Sequence, residues 1–173
     1  SDKLDLLKGY VFKIMLNPGT VPVQHELRRV PLAARMEVKK LIDEMLANAV
    51  IKLVESSSWV SPVVISAKPD PSYRFCVDLR SLNQSVVADT FPLLNINELV
   101  LLLKGGSYFT KLDLRDAYHQ MKFHQQSKQL TAFITTEGTS QFTHLPFGLC
   151  SAASVFQHMM SELFRGMSNI LYF

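Results

Sequence analysis

The chain has 173 residues, of which 47% are hydrophobic and 19% are charged, and its formal net charge is +3. This composition supports a buried core and excludes a disordered polyelectrolyte, while the mild positive charge permits contact with a polyanion without requiring it. Cys76 and Cys150 lie far apart, which disfavours a disulfide framework and a zinc site. The longest apolar run, 99–103, is too short for a membrane span and no apolar leader is recognised, so we expect neither a transmembrane segment nor a signal peptide.

The first half of the chain predicts an extended arm, one helix and a hairpin. Residues 1–30 are punctuated by proline and predict the arm, and Pro31 suits the first turn of a helix. Apolar residues at helical spacing follow: Val38, Leu41, Ile42, Met45, Leu46 and Ala49. Strands are predicted over 60–67 and 73–79, around a turn at 68–72.

The middle of the chain predicts a short helix and then a strand. Asn95 with Glu98 three residues later is typical of a helix start, and Gly105 of a helix end. Side chains over 108–113 alternate between two faces, which predicts a strand that ends at Asp113.

The last third predicts more strands and the clearest amphipathic helix. Strands are expected over 118–124, 130–135 and 141–145, with Gly138 in the turn between the last two. The helix ends at Gly166, and its apolar residues are Ala152, Val155, Phe156, Met159, Met160 and Leu163. Another strand is expected to start over 168–173. The pattern indicates an α+β fold with antiparallel strands and helices on one side.

Asp113 is the first candidate functional residue. A carboxylate at a strand end, beside a tight turn, suits a hard divalent cation, because Mg²⁺ takes one or two protein carboxylates and leaves other positions to water and phosphate. The alternative is a solvated strand end, with the nearby Tyr118 in ordinary packing. This segment alone leaves both interpretations open.

Six blocks of sequence carry more information together than any one of them does alone. They are SPVVISAK (61–68), YRFCVDLRSLN (73–83), FPLLNINELV (91–100), KLDLRDAYHQ (111–120), TAF (131–133) and LPFGLCSAASVFQ (145–157). In this order they resemble the reverse transcriptases of gypsy-type long-terminal-repeat retrotransposons, weakly from about residue 21 and strongly from about residue 49.

The resemblance implies a fingers-and-palm architecture with an antiparallel palm sheet. After the arm at 1–30, the fingers would comprise 31–90 and 121–151, and the partial palm 91–120 and 152–173. It also implies RNA-directed DNA polymerase activity, in which two metal ions about 3.5–4 Å apart bracket the attacking and leaving oxygens.

The resemblance also implies roles for individual residues. Asp113 would be catalytic and would bind metal together with the Leu114 carbonyl. The nucleotide-binding residues would be Lys68, Arg74, Asp116, Ala117, Tyr118, Phe147 and Gln157, and the template-binding residues Asp78, Arg80 and Gly148. Gln157 is placed on the polar face of its helix.

Simpler interpretations of these residues stay open. Lys68 could be a solvated turn residue, Tyr118 could serve cross-strand packing, and Arg80 could pair with Asp78. In the family, the Tyr118 ring blocks a ribose 2′-OH, and Gly148 would let a nucleic-acid backbone approach closely.

The resemblance further implies cofactors, partners and location. Two Mg²⁺ ions are expected in the complete enzyme, with Mn²⁺ as a substitute. The partners would be an RNA or DNA template-primer, deoxynucleoside triphosphates and the rest of a Pol polyprotein, with no membrane. The location would be intracellular, in the cytoplasm and in virus-like particles.

Tyr172 and Phe173 align with the first two positions of a Tyr-x-Asp-Asp motif whose aspartates are absent from the sequence. We therefore expect a fragment that lacks thumb, ribonuclease H and integrase, and that has no polymerase activity alone. One alternative is a catalytically dead relic of a retroelement that binds nucleic acid or protein. Another is a host polymerase or nuclease with a palm-like sheet, which only the α+β pattern supports.

Overall fold

The structure is a computed structural model that describes residues 10–70, 72–87, 91–92, 96–114, 116–167 and 169–172. Its strands are β1 (Val11–Phe12), β2 (Ile51–Leu53), β3 (Ser61–Ala67), β4 (Tyr73–Val77), β5 (Lys122–Phe123), β6 (Phe133–Thr135) and β7 (Gly138–Phe142). Its α-helices are α1 (Arg35–Ala47), α2 (Arg80–Asn83), α3 (Ile96–Leu102), α4 (Gln125–Lys128) and α5 (Ala152–Leu163). The predicted α+β class is confirmed.

A five-stranded sheet in the order β2-β7-β6-β3-β4 forms the centre of the fold. Its neighbours pair in antiparallel fashion except β3 and β6, which are parallel, so the sheet is mixed and not antiparallel throughout as expected. Phe133 on β6 is fully buried, and its ring packs 5.8 Å from that of Phe75 and 5.2 Å from that of Phe142. Aromatic side chains of three strands therefore meet in one core.

The predicted hairpin over 60–79 is confirmed. β3 and β4 pair from Val63 opposite Val77 to Ala67 opposite Tyr73. The amide of Lys68 donates to the Ser72 carbonyl at 2.9 Å, which closes the turn. Pro71, which belongs to this predicted turn, lies outside the described residues.

The first predicted helix is confirmed as α1, preceded by a 3-10 turn over Leu32–Ala34. It packs against β2 and β4, the two edge strands of the sheet, with Val38 and Ile42 buried. Glu37 accepts a hydrogen bond from the Tyr73 amide at 3.0 Å, which anchors the helix to β4. The predicted apolar residue Ala49 lies beyond the helix end.

The described part of the N-terminal arm is extended and is tied to the rest of the fold. β1 pairs in parallel with β5, placing Phe12 opposite Phe123. The amide of Ile14 donates to Ser127 Oγ at 2.9 Å, and Ile14 is buried. The arm therefore contributes to the core at this end of the molecule.

Two more predicted helices are confirmed as α3 and α5. Gly105 and Gly166 follow them with φ of +95° and +84°, the left-handed conformation that commonly ends a helix. The predicted N-cap, Asn95, lies outside the described residues.

The strand predicted to end at Asp113 does not form. Residues 107–114 adopt no regular structure, and Tyr108 and Leu112 are 96% and 85% exposed. A strand forms only when its backbone is paired, and neither sheet of the described chain includes this segment. The expected strand over 168–173 is also wrong where it can be judged, because residues 169–172 form none.

Three other strand predictions are right in kind but shifted in position. Where a strand was predicted over 118–124, the chain forms a 3-10 helix over Ala117–Gln120 and then β5. Where a strand was predicted over 130–135, it forms a 3-10 helix over Gln129–Thr131 and then β6. The strand predicted over 141–145 is β7, and Gly138 is its first residue. None of the helices in the described ranges combines the length and the apolar character that a membrane span requires.

Candidate nucleotide and nucleic-acid site

An aromatic group around Tyr118 forms the centre of the candidate site. The half-buried Tyr118 ring lies 5.0 Å from that of Phe147 and 5.5 Å, edge-on, from that of Phe156. The His119 ring also contacts Phe147, at 5.6 Å. Phe147 is 61% exposed, so the site, which we call the aromatic site, presents a large apolar ring to solvent.

The backbone before Tyr118 takes an uncommon conformation. Asp116 has φ 49° and ψ 41°, in the left-handed region, and is the N-cap of the 3-10 helix Ala117–Gln120. Aspartate adopts this conformation more readily than most non-glycine residues. Tyr118 is the second residue of the 3-10 helix that starts directly after this aspartate.

The loop that carries Phe147 is held by the side chain of Asn83, at the end of α2. Asn83 Nδ2 donates to the Gly148 carbonyl at 2.8 Å, and the Cys150 amide donates to Asn83 Oδ1 at 2.9 Å. Both halves of one amide are thus used to fix one loop. Sequence reasoning missed Asn83, although it lies in the block at 73–83.

Gly148 has a conformational reason to be glycine. Its φ is +89°, and a Cβ added there would meet the Val77 carbonyl oxygen at 3.7 Å, an ordinary contact distance. Backbone conformation therefore explains this glycine without any nucleic acid. The predicted close approach of a nucleic-acid backbone stays a prediction.

The two predicted triphosphate contacts lie on the β3–β4 hairpin. Lys68 is exposed in the turn, and Arg74 is exposed on β4 opposite Ser66. Asp70 in the same turn accepts hydrogen bonds from Ser72, which together with nearby Lys68 lower the pKa of its carboxyl group. The turn is ordered by its own contacts and leaves both cationic side chains in solvent.

Asp78 and Arg80 form an ion pair. The carboxylate of Asp78 accepts from Arg80 Nε at 2.8 Å and from Arg80 Nη2 at 2.7 Å, and Arg28 Nη1 lies 3.4 Å away. These hydrogen bonds and charges, led by Arg80, lower the pKa of Asp78 to about 2. The Arg80 side chain is 80% exposed, so it is oriented by Asp78 and still open to solvent.

The position predicted for Gln157 on the polar face of its helix is wrong. Gln157 is 5% exposed and its Nε2 donates to the Tyr172 carbonyl at 3.3 Å. Tyr172 lies beside this part of the molecule, since its ring also stacks on that of Phe164 at 5.8 Å. Its contact with a nucleotide stays a prediction.

Asp113 and Leu114, the predicted metal ligands, are both exposed. No group of three or more His, Cys, Asp or Glu side chains that could hold a metal ion occurs among the described residues. A two-metal centre needs several carboxylates at one point, so these residues do not fit one by themselves.

The chain is similar to known proteins at the level of family, relatives and fold. The model for reverse transcriptase (RNA-dependent DNA polymerase) matches residues 66–173. The Pol polyprotein of transposon opus from Drosophila melanogaster is 35% identical over 149 residues, which covers 83% of this chain. The chain belongs to the reverse transcriptase family.

Other relatives agree with this assignment. The Pol polyprotein of transposon gypsy, also from Drosophila melanogaster, is 31% identical over 130 residues, or 75% of this chain. The chain spans only 15% of the opus polyprotein and 13% of the gypsy polyprotein. The recognition of a gypsy-type retrotransposon sequence is confirmed.

A solved structure confirms the reverse transcriptase fold. The foamy viral protease–reverse transcriptase in complex with double-stranded DNA superimposes with a TM-score of 0.80 at 20% sequence identity, covering 99% of this chain and 34% of that one. At this identity the likeness shows the fold alone. The mixed sheet, its helices and the aromatic site therefore stand within a reverse transcriptase framework.

Proposed function

We propose that this chain is the nucleotide-binding part of an RNA-directed DNA polymerase that extends a primed RNA or DNA template with deoxynucleoside triphosphates. The observation that carries the proposal is the aromatic site, in which Tyr118 is held between Phe147 and Phe156 directly after the left-handed Asp116. The chain belongs to the reverse transcriptase family, and its Tyr118 ring packs against two other rings beside a backbone turn. Such a ring can exclude a ribose 2′-OH by its bulk alone.

The triphosphate would be bound by cations and by backbone amides. Lys68 and Arg74 are exposed on neighbouring positions of the β3–β4 hairpin and carry no ion pair to a carboxylate among the described residues. Arg74 offers a planar fork and Lys68 a point charge, two ways of binding phosphate oxygens. The amides of Asp116 and Ala117 would complete the phosphate contacts, while Phe147 and Gln157 would support the base and sugar.

The template strand would lie along Arg80 and the loop at Gly148. Asp78 orients the Arg80 guanidinium, whose outer edge is solvent-exposed. Contacts of this kind set the register of a strand without reading its sequence. Asn83 links the two parts, because it follows Arg80 on α2 and binds the Gly148 carbonyl.

Asp113 and the Leu114 carbonyl would contribute to a divalent cation site, for Mg²⁺ or Mn²⁺, in the complete polymerase. When bound, such cations neutralise charge on the phosphates. The described residues supply one of the carboxylates that such a centre needs, so the proposal assigns Asp113 a ligand role and no further step. It follows that the 173-residue chain alone should not extend a primer.

The domain boundaries and the biological setting belong to the same proposal. Fingers would comprise 31–90 and 121–151, and a partial palm 91–120 and 152–173; all strands of the five-stranded sheet fall in the first pair of ranges. The chain would act within a Pol polyprotein, in the cytoplasm and in virus-like particles. Its relatives are Pol polyproteins, which favours this function over a catalytically dead relic.

A chimera tests the proposal. This chain would replace the homologous segment of the opus polyprotein, its 35% identical relative, and primer extension would be measured on a primed RNA template. We expect activity that Asp113→Asn lowers by more than about 100-fold, since a metal ligand is lost. Asp43→Asn, on the exposed face of α1, is the matched control and should leave activity unchanged. An inactive chimera, or an active Asp113→Asn variant, would contradict the proposal.

A further inference from the structure

Three lysines on three neighbouring elements lie outside the residues assigned above. Lys52 is on β2, Lys122 on β5 and Lys128 at the end of α4. Lys52 and Lys122 are exposed, and Lys128 is partly exposed. We call these residues the lysine cluster.

The backbone around Thr143 brings the three elements together. The Thr143 amide donates to the Val50 carbonyl at 2.9 Å on the β2 side, and its carbonyl accepts from the Phe123 amide at 3.0 Å on the β5 side. Lys122 is paired with His144 across this junction. α4 follows β5 after a single residue, His124, whose ring caps it. Lys52, Lys122 and Lys128 therefore belong to elements that flank one short segment.

Among the residues that the structure describes, no acidic group compensates the charge of the lysine cluster. Among the described residues no carboxylate forms an ion pair with any of the three, whereas Lys39 and Lys40 on α1 pair with Asp43 at 3.0 Å and Glu44 at 3.8 Å. Lys128 Nζ donates to Gln125 Oε1 at 3.0 Å, which is a neutral partner. Burial, followed by the charges of Lys52 and Lys122, lowers the pKa of Lys128, as expected for like charges that lie close together.

His144, which is paired with Lys122, adds no charge at neutral pH. Burial and the nearby positive charges of Lys122, His119 and Lys128 lower its pKa to about 4. The Thr143 hydroxyl lies 3.0 Å from the Val50 carbonyl, to which it can donate, and 2.8 Å from His144 Nδ1, from which it can accept. The positive charge of this surface therefore comes from the three lysines.

We propose that the lysine cluster binds the backbone phosphates of a nucleic-acid strand that extends beyond the aromatic site. His119 connects the two surfaces, because it contacts Phe147 in the aromatic site and lies close enough to His144 to influence its protonation. Ammonium groups on flexible stems suit phosphates, since they add affinity without reading bases. The inference rests on the proposed function and adds to it a second contact surface.

Binding of a fluorescein-labelled single-stranded oligonucleotide to the 173-residue chain, measured by anisotropy over a range of salt concentrations, tests the inference. The variant is Lys52→Gln/Lys122→Gln/Lys128→Gln. We expect weaker binding and a shallower plot of log affinity against log salt, with the slope reduced by about 2, since each lost contact to a single strand removes about 0.7. The variant Lys52→Arg/Lys122→Arg/Lys128→Arg should keep the wild-type slope, because it keeps the three positive charges.

The double variant Lys39→Gln/Lys40→Gln is the matched control and should retain the wild-type slope, because those lysines are paired within α1. Equal slopes for wild type and the glutamine triple variant would overturn the inference, as would an equal reduction in the control. A lysine-dependent effect on binding of a deoxynucleoside triphosphate, with none on the oligonucleotide, would also overturn it. Primer extension by the chimera reports on the proposed function separately, so the two failures are distinguishable.

Discussion

The five-stranded sheet and the segment 106–114 contain similar residues but have opposite fates. Phe133 on β6 is fully buried between two other rings, whereas Phe109 is 62% exposed and Leu112 is 85% exposed. The sequence predicts a strand in both places, over 130–135 and over 108–113. The difference is that β6 has a partner on each side and 106–114 has none in the described chain. Strand propensity is therefore realised only where backbone partners exist.

The largest expected effect comes from removing a buried aromatic ring from the five-stranded sheet. Phe133→Ala should lower the free energy of unfolding by about 3–5 kcal/mol, because it leaves a cavity between Phe75 and Phe142. Leu112→Ala should change it by less than about 0.5 kcal/mol, because that side chain is already in solvent. Urea denaturation measures both, and similar losses would show that 106–114 is packed in solution.

A second prediction concerns pH and tests how completely the five-stranded sheet excludes water at His144. His144, at the end of the β7 ladder, has a folded-state pKa of about 4, below the value of about 6.5 expected when unfolded. Since the unfolded chain then binds more protons, stability is complete above about pH 6.5 and falls by about 3 kcal/mol as pH drops to about 4.

His144→Gln should remove most of this pH dependence of the free energy of unfolding, and the part that remains belongs to His119, whose pKa is also lowered by burial. His158→Gln is the control, because His158 is exposed on α5, and it should retain the wild-type dependence. If His144→Gln still loses as much stability as the wild type over the same pH interval, another group is responsible.

The smallest expected effect concerns the loop that carries Phe147. The experiment tests whether this loop is held in place by hydrogen bonds, as the sheet is, or is unpaired, as 106–114 is in the described chain. Asn83→Ala removes the acceptor of the Cys150 amide and the donor to the Gly148 carbonyl. We expect a loss of about 1 kcal/mol, and about tenfold faster hydrogen exchange at the Cys150 amide. Gln84→Ala, at an exposed neighbouring position, should leave that exchange unchanged. Unchanged exchange in Asn83→Ala would mean that the loop is held by its own packing.

Local patterns predicted the elements whose partners lie nearby in sequence. The β3–β4 hairpin, α1 and α5 were each predicted within a few residues of their bounds, because a short turn or a single apolar face specifies them. β1, β2, α2 and α4 were missed. They are two to four residues long, which is too short for a repeating pattern of apolar residues to be detected in the sequence.

The candidate site was only partly readable. The sequence block at 111–120 indicated Tyr118 as a site residue, and the block at 145–157 indicated Phe147. In the structure the centroids of these two rings are 5.0 Å apart. Asn83 had no signal as a loop clamp, since an asparagine at a helix end is usually solvated. Gln157 was wrongly placed on the polar face of α5, because its amide is bound by the carbonyl of Tyr172, a residue that follows α5 in the chain.

The sequence by itself determined the family, the class of fold and the identity of the ring at position 118, because these depend on residue type and order. Only the tertiary structure decided that the sheet is mixed, that Asp78 orients Arg80, and that Lys52, Lys122 and Lys128 lie on elements that flank one short segment. The physical reason is that pairing, burial and charge proximity join residues far apart in the chain. The same reason explains why the segment ending at Asp113, which carries a strand pattern and no partner, stays exposed.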